Sequence, residues 1–232
     1  MNKTGIEYLD YTWNFQTGCL NQENGVCTLP CWAKAMAHRF GRSFKPTFQR
    51  TAFIQKMPEN ARIGVCFTGD LFGDWVNLDM LLTPYTTLKD GVLLKVECER
   101  QRYNQFFFLT KCPRNLQKWG EFPDNAWVGT SVCNDVMLTN AFRPMQEVKA
   151  KNKWLSIEPL LSWDMSLDDT AWTLEKIGIK WLVIGGQTHP TKLPEKAWVD
   201  GIVAAADRAG IPIWLKNNLK PLMGENLRQE LP

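Results

Sequence analysis

The chain has 232 residues, 44% of them hydrophobic, and a formal net charge of +3 at pH 7. This length and apolar content suit one domain, residues 1–232, with a sizeable core. The small net charge neither requires nor excludes a nucleic-acid partner, and no apolar run suits a signal peptide or a membrane span.

The N-terminal part places three cysteines on one loop between a strand and a helix. Residues 8–15 are rich in aromatic and β-favouring types and predict a strand, and residues 32–40 are good helix formers. Between them lie Cys19, Cys27 and Cys31, in the spacing Cys-x7-Cys-x3-Cys. Seven cysteines clustered near one end, without a secretory context, favour a reducing cytoplasm and metal binding over disulfides.

Three thiols on one short loop, residues 19–31, have few physical uses. A disulfide uses two and leaves one, and structural zinc normally takes four ligands. A [4Fe-4S] cluster can be held by three cysteines, which leaves one iron open. The spacing alone leaves iron–sulfur, zinc and a fortuitous group of thiols open. For the remaining cysteines we expect the role of small buried hydrophobes: Cys66, Cys98, Cys112 and Cys133.

A basic and aromatic segment follows the first helix, over residues 38–50. One interpretation is a solvated loop, and the other is an electropositive rim for an anionic substrate. The rim would combine four cations with three aromatic rings: Arg39, Arg42, Lys45, Arg50, Phe40, Phe44 and Phe48.

Six further short apolar runs each end in polar or glycine residues. They cover residues 63–67, 106–109, 126–130, 154–157, 181–184 and 211–215, and the run before Cys19 makes seven predicted strands. Helices are predicted over residues 86–102, 134–148, 169–177 and 195–209. The first of these has a predicted break near residues 90–91. This alternation predicts an α/β fold with a parallel sheet, closed into a (β/α) barrel or partial barrel of about six to seven strands.

The C-terminal ends of parallel strands meet at one edge, so the residues there could form a common site. These residues are Asp70, Thr110, Lys111, Ser131, Glu158, Gly185, Gly186, Gln187, Lys216 and Asn217. Each also has a purely structural interpretation: Asp70 could cap a helix, Glu158 could pair with Lys111, and the two glycines could form a tight turn. Charged residues directly after apolar strands, such as Glu158 and Lys216, are costly unless they are paired or functional.

Several motifs of the chain occur together in one known family: Trp13-Asn14-x-x-Thr17-Gly18-Cys19, then Cys27 and Cys31 with an aromatic residue and Ala33, Asp70-Leu71-Phe72, Leu109-Thr110-Lys111-x-Pro113, Trp127-Val128-Gly129-x-Ser131-Val132, Leu155-Ser156-Ile157-Glu158-Pro159-Leu160-Leu161 and Trp181-x-Val183-Ile184-Gly185-Gly186. With these motifs the chain resembles the phage-associated three-cysteine-motif family of unknown function, which is related to the radical S-adenosylmethionine (SAM) superfamily. The resemblance extends over about residues 6–216.

The resemblance implies a radical-SAM-like barrel in which Cys19, Cys27 and Cys31 hold a [4Fe-4S] cluster. It implies that SAM binds the open iron and that an external electron donor drives its cleavage to a 5′-deoxyadenosyl radical. Residues 68–70 would meet the SAM amino group, and Ser131 and Glu158 its ribose or carboxylate. The full cofactor-binding set is Thr68, Gly69, Asp70, Thr110, Lys111, Ser131, Glu158, Gly185 and Gly186.

The substrate implied by the resemblance is a nucleic acid or nucleotide, with a partner protein as a further expectation. Arg39, Arg42, Lys216 and Asn217 would face it. The chain departs from the family in having three residues between the last two cysteines, Trp32 after them, and Gln187 after the glycine pair. The alternative is a zinc- or cluster-stabilised nucleic-acid-binding module without SAM chemistry.

Overall fold

The computed structural model describes all 232 residues and has a mixed α/β fold around one large, mostly parallel sheet. Its eight strands, which we number in chain order, also lie in that order across the sheet. They are β1 (Asn2–Lys3), β2 (Tyr11–Trp13), β3 (Arg62–Val65), β4 (Gln105–Thr110), β5 (Ala126–Val132), β6 (Asn152–Ile157), β7 (Ile179–Ile184) and β8 (Ile213–Leu215).

Strands β2 to β8 confirm the seven strands predicted from the apolar runs. Strand β2 pairs in parallel with β3, β3 with β4, β6 with β7, and β7 with β8. Every residue of β5 is buried, as expected for a strand covered on both faces. The short strand β1, which the sequence did not predict, pairs antiparallel with β2 at the edge.

Seven α-helices connect or flank these strands: α1 (Trp32–Arg39), α2 (Arg50–Phe53), α3 (Leu88–Cys98), α4 (Asp135–Glu147), α5 (Leu167–Ile177), α6 (Lys196–Ala209) and α7 (Lys220–Met223). Three 3₁₀ helices cover Arg100–Arg102, Pro113–Trp119 and Asn217–Leu219. Three two-stranded ribbons pair Gln16–Thr17 with Thr47–Phe48, Leu81–Thr83 with Thr86–Thr87, and Gln187–Thr188 with Thr191–Lys192.

The helix ends follow from local hydrogen bonding. The Thr87 and Ser166 hydroxyls accept the amides of Asp90 and Asp169, which start α3 and α5. Glycines 178 and 210, in the left-handed conformation, end α5 and α6. On α6, the buried face consists of Val199, Ile202, Ala205 and Ala206.

The break expected near residues 90–91 is wrong, because α3 runs unbroken from Leu88 to Cys98. Gly91 lies inside this helix and is buried. A Cβ atom at Gly91 would come within 2.7 Å of Leu82 Cδ1, so the glycine permits a close approach to the ribbon before α3. Its role is packing rather than termination.

The chain divides into two compact units, residues 1–128 with 148–152 and residues 129–147 with 153–232. In the first unit the Trp13 ring packs among Phe15, Phe53 and Phe106, with centroids 4.4–6.1 Å apart. In the second unit, the ring centroids of the fully buried Trp154 and Trp181 lie 5.5 Å apart. The single domain expected over residues 1–232 stays a prediction. None of the helices combines the length and the apolar character needed to traverse a lipid bilayer.

Candidate functional site

In the first unit, the start of the cysteine loop lies against the turn that follows β3. Gly18 and Gly69 form a parallel bridge, and the Gly18 amide donates to the Thr68 carbonyl at 3.2 Å. A Cβ at Gly69 would lie 2.6 Å from the Gly18 oxygen. Gly18 itself has φ +80° and would clash with the Lys45 carbonyl at 2.4 Å if it carried a side chain. Both glycines of these motifs are therefore required by close backbone contact.

Asp70 is a buried carboxylate that accepts four hydrogen bonds from three segments. Its Oδ1 accepts the Phe72 amide at 3.0 Å and the Thr110 hydroxyl at 2.8 Å. Its Oδ2 accepts the Asn21 side chain at 2.9 Å and the Lys111 amide at 3.0 Å. These donors use the acceptor positions of the carboxylate, so Asp70 connects the cysteine loop to the ends of β3 and β4.

Asn21, a buried residue that the sequence analysis did not single out, organises the cysteine loop. Its Nδ2 donates to Asp70, and its Oδ1 accepts the Cys112 thiol at 3.2 Å. Its carbonyl accepts the amides of Val26 and Cys27, and its own amide donates to Cys19 Sγ at 3.4 Å. In the sequence it stands among Gln, Glu and Asn residues typical of an exposed turn, so no local signal marks it.

The three loop cysteines are partly exposed, whereas Cys66, Cys112 and Cys133 are buried. The role of small buried hydrophobes is thus confirmed for those three, but it is wrong for Cys98, which is exposed. Cys98 is the last residue of α3, where its side chain lies on the solvent side of the helix.

Burial raises the pKa of Cys19 to about 12; the Asn21 amide opposes this rise, and Asp70, Cys27 and Cys31 add to it. Burial, with Asp70 adding to it, also raises the pKa of Cys112 to about 12, and Cys27 contributes. At neutral pH the Cys19 and Cys112 thiols keep their protons unless a bound metal ion displaces them.

The loop fits an iron–sulfur cluster in the chemistry and number of its donors: three thiols, partly exposed, on one segment. No group of three or more His, Cys, Asp or Glu side chains is arranged so that it could hold a metal ion. Cys31 is the N-cap of α1, and its thiol makes no capping hydrogen bond. The assignment of Cys19, Cys27 and Cys31 as cluster ligands stays a prediction.

Thr68 adds an unpartnered polar atom beside this loop. Its Oγ1 is buried and has no hydrogen-bond partner, while its amide donates to Asn14 Oδ1 at 3.4 Å. A buried hydroxyl without a partner is unfavourable by about 1–3 kcal/mol. Within the predicted Thr68-Gly69-Asp70 turn, it is therefore Thr68 that offers an unused group, since the Asp70 oxygens are occupied.

The basic segment of the first unit is exposed at Arg39, Arg42, Lys45 and Arg50. The three phenylalanines expected among these cations differ in their packing. Phe40 is 64% exposed, whereas the Phe48 ring packs against Phe15 and Phe53 with centroids 6.1 and 5.9 Å apart. Phe48 therefore belongs to the aromatic core rather than to a rim.

The second unit brings Glu158 and Lys216 together as an ion pair. Lys216 is the partner of Glu158 in place of the Lys111 considered from the sequence, and the expectation that these charges need a partner is confirmed. Gly185 makes room for the pair: a Cβ there would lie 3.1 Å from Lys216 Cδ and 3.3 Å from Glu158 Cγ.

Asn218 is a second residue that the sequence analysis missed. Its side-chain amide accepts the Gly186 amide at 3.1 Å and donates to the Gly186 carbonyl at 2.8 Å. The Ser131 hydroxyl donates to the Glu158 carbonyl at 3.4 Å, and Asn217 Oδ1 accepts Gln229 Nε2 at 3.2 Å. Within this unit Ser131, near the end of β5, and the predicted residues after β6, β7 and β8 are therefore joined by hydrogen bonds and one ion pair.

Comparison with curated proteins and with solved structures found no match. A family model described as a protein of unknown function, DUF5131, matches residues 3–220. This match includes the cysteine loop, the Asp70 network and the Glu158–Lys216 pair. The chain therefore belongs to the DUF5131 family of proteins of unknown function.

Proposed function

We propose that the protein is a radical SAM-type enzyme whose cysteines 19, 27 and 31 hold a [4Fe-4S] cluster. When bound, such a cluster supplies the electron that cleaves SAM to methionine and a 5′-deoxyadenosyl radical. The partial (β/α) barrel implied by the family resemblance is part of this proposal. The proposed substrate is a nucleic acid or nucleotide, and an external electron donor and a partner protein complete the proposal.

One observation carries the proposal: three partly exposed thiols share a loop that is fixed against residues 68–70. The Gly18–Gly69 bridge holds the beginning of this loop, and the Asn21–Asp70 hydrogen bond holds its middle. A loop held at both places loses little further entropy when its thiols take up a ligand. Three thiols on a loop that is anchored in this way support a cluster site better than a fortuitous group of cysteines does.

The surrounding residues have two kinds of role in the proposal. Asp70, Thr110 and the Lys111 backbone position the loop, because their hydrogen bonds are made within the protein. Thr68 has a free hydroxyl oxygen for a cofactor amino or hydroxyl group. In the second unit, Ser131, Glu158, Gly185 and Gly186 are the residues that the family resemblance assigns to SAM, and Lys216 balances the Glu158 charge.

Replacement of each cysteine by Ala, followed by iron and sulfide counts on anaerobically purified protein, tests the ligand assignment. We expect loss of iron for Cys19→Ala, Cys27→Ala and Cys31→Ala. Cys98→Ala is the matched control, because Cys98 is exposed and lies in α3, outside the loop. Full iron content after Cys27→Ala would overturn the assignment.

A SAM-cleavage assay with a strong reductant then tests the reaction class. Brown protein that contains about four irons and releases 5′-deoxyadenosine supports the proposal. Colourless protein with a single zinc and no SAM cleavage supports the alternative, a zinc-stabilised binding module. Brown protein that does not cleave SAM contradicts the enzyme proposal and leaves the ligand assignment standing.

A further inference from the structure

The positive charge of the chain is concentrated in one segment, residues 24–58. It contains no Asp or Glu and six basic residues: Lys34, Arg39, Arg42, Lys45, Arg50 and Lys56. The whole chain has 27 Lys and Arg against 24 Asp and Glu, so the rest has 21 against 24 and a net charge of −3. The small overall charge therefore hides a segment of +6, which extends from α1 through the following loop and α2 to Lys56.

These charges are hardly neutralised by the protein. Lys34 pairs with Glu23, and the other five basic side chains form no ion pair with an acidic residue. Arg42 instead lies over the Phe40 ring, with 6.0 Å from its guanidinium carbon to the centroid. Exposed cations without acidic partners produce a positive potential that attracts an anion.

The same helix exposes an apolar stripe next to these cations. Trp32 and Met36 in α1 and Phe40 at its C-cap, spaced four residues apart, are 53%, 45% and 64% exposed, whereas Ala33 is buried against the protein. Residues at this spacing lie on one side of a helix, and eight residues span about 12 Å. Arg39 follows Met36 by three residues and thus lies beside the stripe.

We propose that this face of α1, with the loop through Arg50, is a binding surface for single-stranded nucleic acid. The cations bind phosphates, and the rings of Trp32 and Phe40 stack on unpaired bases. The inference deepens the proposed function, on which it rests, by naming the form of nucleic acid that approaches the cysteine loop. Trp32 directly follows Cys31, so a bound strand would lie next to that loop.

The exposed rings distinguish a single strand from a duplex. Base faces are stacked on one another inside a duplex, whereas an unpaired base offers its face to an aromatic side chain. A surface made only for duplex phosphates needs cations and gains nothing from two exposed aromatic side chains. An acidic protein would also meet the cations, and it is the competing occupant that the experiment must distinguish.

The test is a fluorescence titration of the full chain, purified with its metal, with a short labelled oligodeoxythymidylate at about 50 and 200 mM salt. We expect binding that weakens steeply with salt. Arg42→Gln with Arg50→Gln should make the slope of log affinity against log salt shallower by about 1.4, because each single-strand phosphate contact contributes about 0.7. Trp32→Ala should weaken binding about 5- to 150-fold, the range for loss of one stacked aromatic ring.

Matched controls come from the second unit. Trp172 is also 53% exposed, and Lys176 and Lys180 are exposed and unpaired. Trp172→Ala and the double variant Lys176→Gln with Lys180→Gln should leave affinity and salt slope unchanged. Because Trp32→Ala could disturb the neighbouring Cys31, Phe40→Ala serves as a second variant at the far end of the stripe, with the same expected direction.

Three outcomes would overturn the inference. They are absence of oligonucleotide binding at low salt, duplex binding equal to single-strand binding, and full affinity in both Trp32→Ala and Phe40→Ala. The first outcome would favour an acidic protein as the occupant of this surface. The second would mean that the surface attracts phosphates without binding bases. SAM cleavage is measured separately, without oligonucleotide. If the titration shows no binding but SAM is cleaved, only the binding surface is refuted. If the oligonucleotide binds but SAM is not cleaved, only the enzyme proposal is refuted.

Discussion

At the scale of single residues, the side chain of Asn21 connects the cysteine loop to two buried groups. It gives Asp70 one of its four hydrogen bonds and accepts the thiol of Cys112. When a buried carboxylate loses a hydrogen-bond donor, its desolvation is no longer compensated and the folded state is destabilised. The stability of the loop therefore depends on an amide that belongs to none of the sequence motifs.

We expect Asn21→Ala to lower the free energy of unfolding by about 1–3 kcal/mol. Asn21→Asp should be worse, because it replaces the donor to Asp70 with a second negative charge. Urea denaturation measures both. Asn24→Ala is the matched control, because Asn24 is exposed on the same loop and makes no side-chain hydrogen bond, and it should change stability by less than about 0.5 kcal/mol. Equal effects at both positions would remove the special role of Asn21.

The sequence predicted the acidic and thiol groups of this network but not the amides that join them. Asp70 and Thr110 follow apolar strands, a position that can be recognised from the chain itself. Asn21 and Asn218 have partners 49 and 32 residues away, and their neighbours in the sequence are polar. Their burial follows from tertiary contacts, which local pattern does not contain.

At the scale of elements, the start of β3 is fixed to the segment before β2 by an ion pair at close range. Arg62 donates to Asp10 through Nη2 at 3.1 Å and Nε at 3.2 Å, and its amide donates at 2.8 Å. The Arg62 side chain, with its amide, holds the pKa of Asp10 below the ordinary value of 3.8. The folded state therefore favours the charged carboxylate.

This pair predicts a pH dependence of stability. Because the folded pKa is lowered, the stabilisation is fully present above about pH 4 and is lost as the pH falls toward the folded pKa. Asp10 is 39% exposed, so solvent screening limits the effect to about 1 kcal/mol or less. Urea midpoints for the wild type and Asp10→Asn should differ at pH 6, and the difference should shrink as the pH falls below about 4. A constant difference across this range would contradict the assignment.

Two glycines give opposite predictions for the same substitution. A Cβ at Gly129, in β5, would lie 2.5 Å from Trp154 Nε1 and 2.6 Å from the Trp154 carbonyl oxygen, so Gly129→Ala should destabilise by about 1–3 kcal/mol. Gly201, in α6, has nothing within 4 Å of a Cβ, and Gly201→Ala should stabilise by about 0.5–1 kcal/mol. Thermal unfolding of the two variants checks the pair, and a change of the same sign in both would refute it.

Most of the strands were predictable because their residues are largely buried and form short apolar runs, as in Trp181 to Ile184. The helix interruption was mispredicted because Gly91 meets Leu82, a contact that glycine in isolation does not reveal. The same limit applies to β1, which has two residues and is defined by its pairing with β2. Elements that owe their form to a partner are the ones that local pattern misses.

At the scale of the whole molecule, the distribution of charge matters more than its total. The formal charge of +3 combines +6 in residues 24–58 with −3 elsewhere. An extended charged surface meets the most positive face of a protein first, so the segment should dominate adsorption.

Cation-exchange elution tests this distribution. Arg42→Gln with Arg50→Gln and Lys176→Gln with Lys180→Gln both reduce the formal charge by two, from +3 to +1. We expect the first variant to elute at clearly lower salt than the second, since only the first weakens the positive segment. Co-elution of the two variants would mean that net charge alone decides retention.

The hydrogen bonds around Asn21 and Asp70 also have a consequence for local opening. Four backbone amides depend on these two residues: Phe72 and Lys111 donate to Asp70, and Val26 and Cys27 donate to the Asn21 carbonyl. Amides that share supports open as one unit. In deuterium exchange all four should have similar protection in the wild type, and Asn21→Ala should lower that protection at Phe72 and Lys111 even though neither amide contacts the substituted side chain. The cysteine loop and the two strand ends would then fluctuate as one cooperative segment.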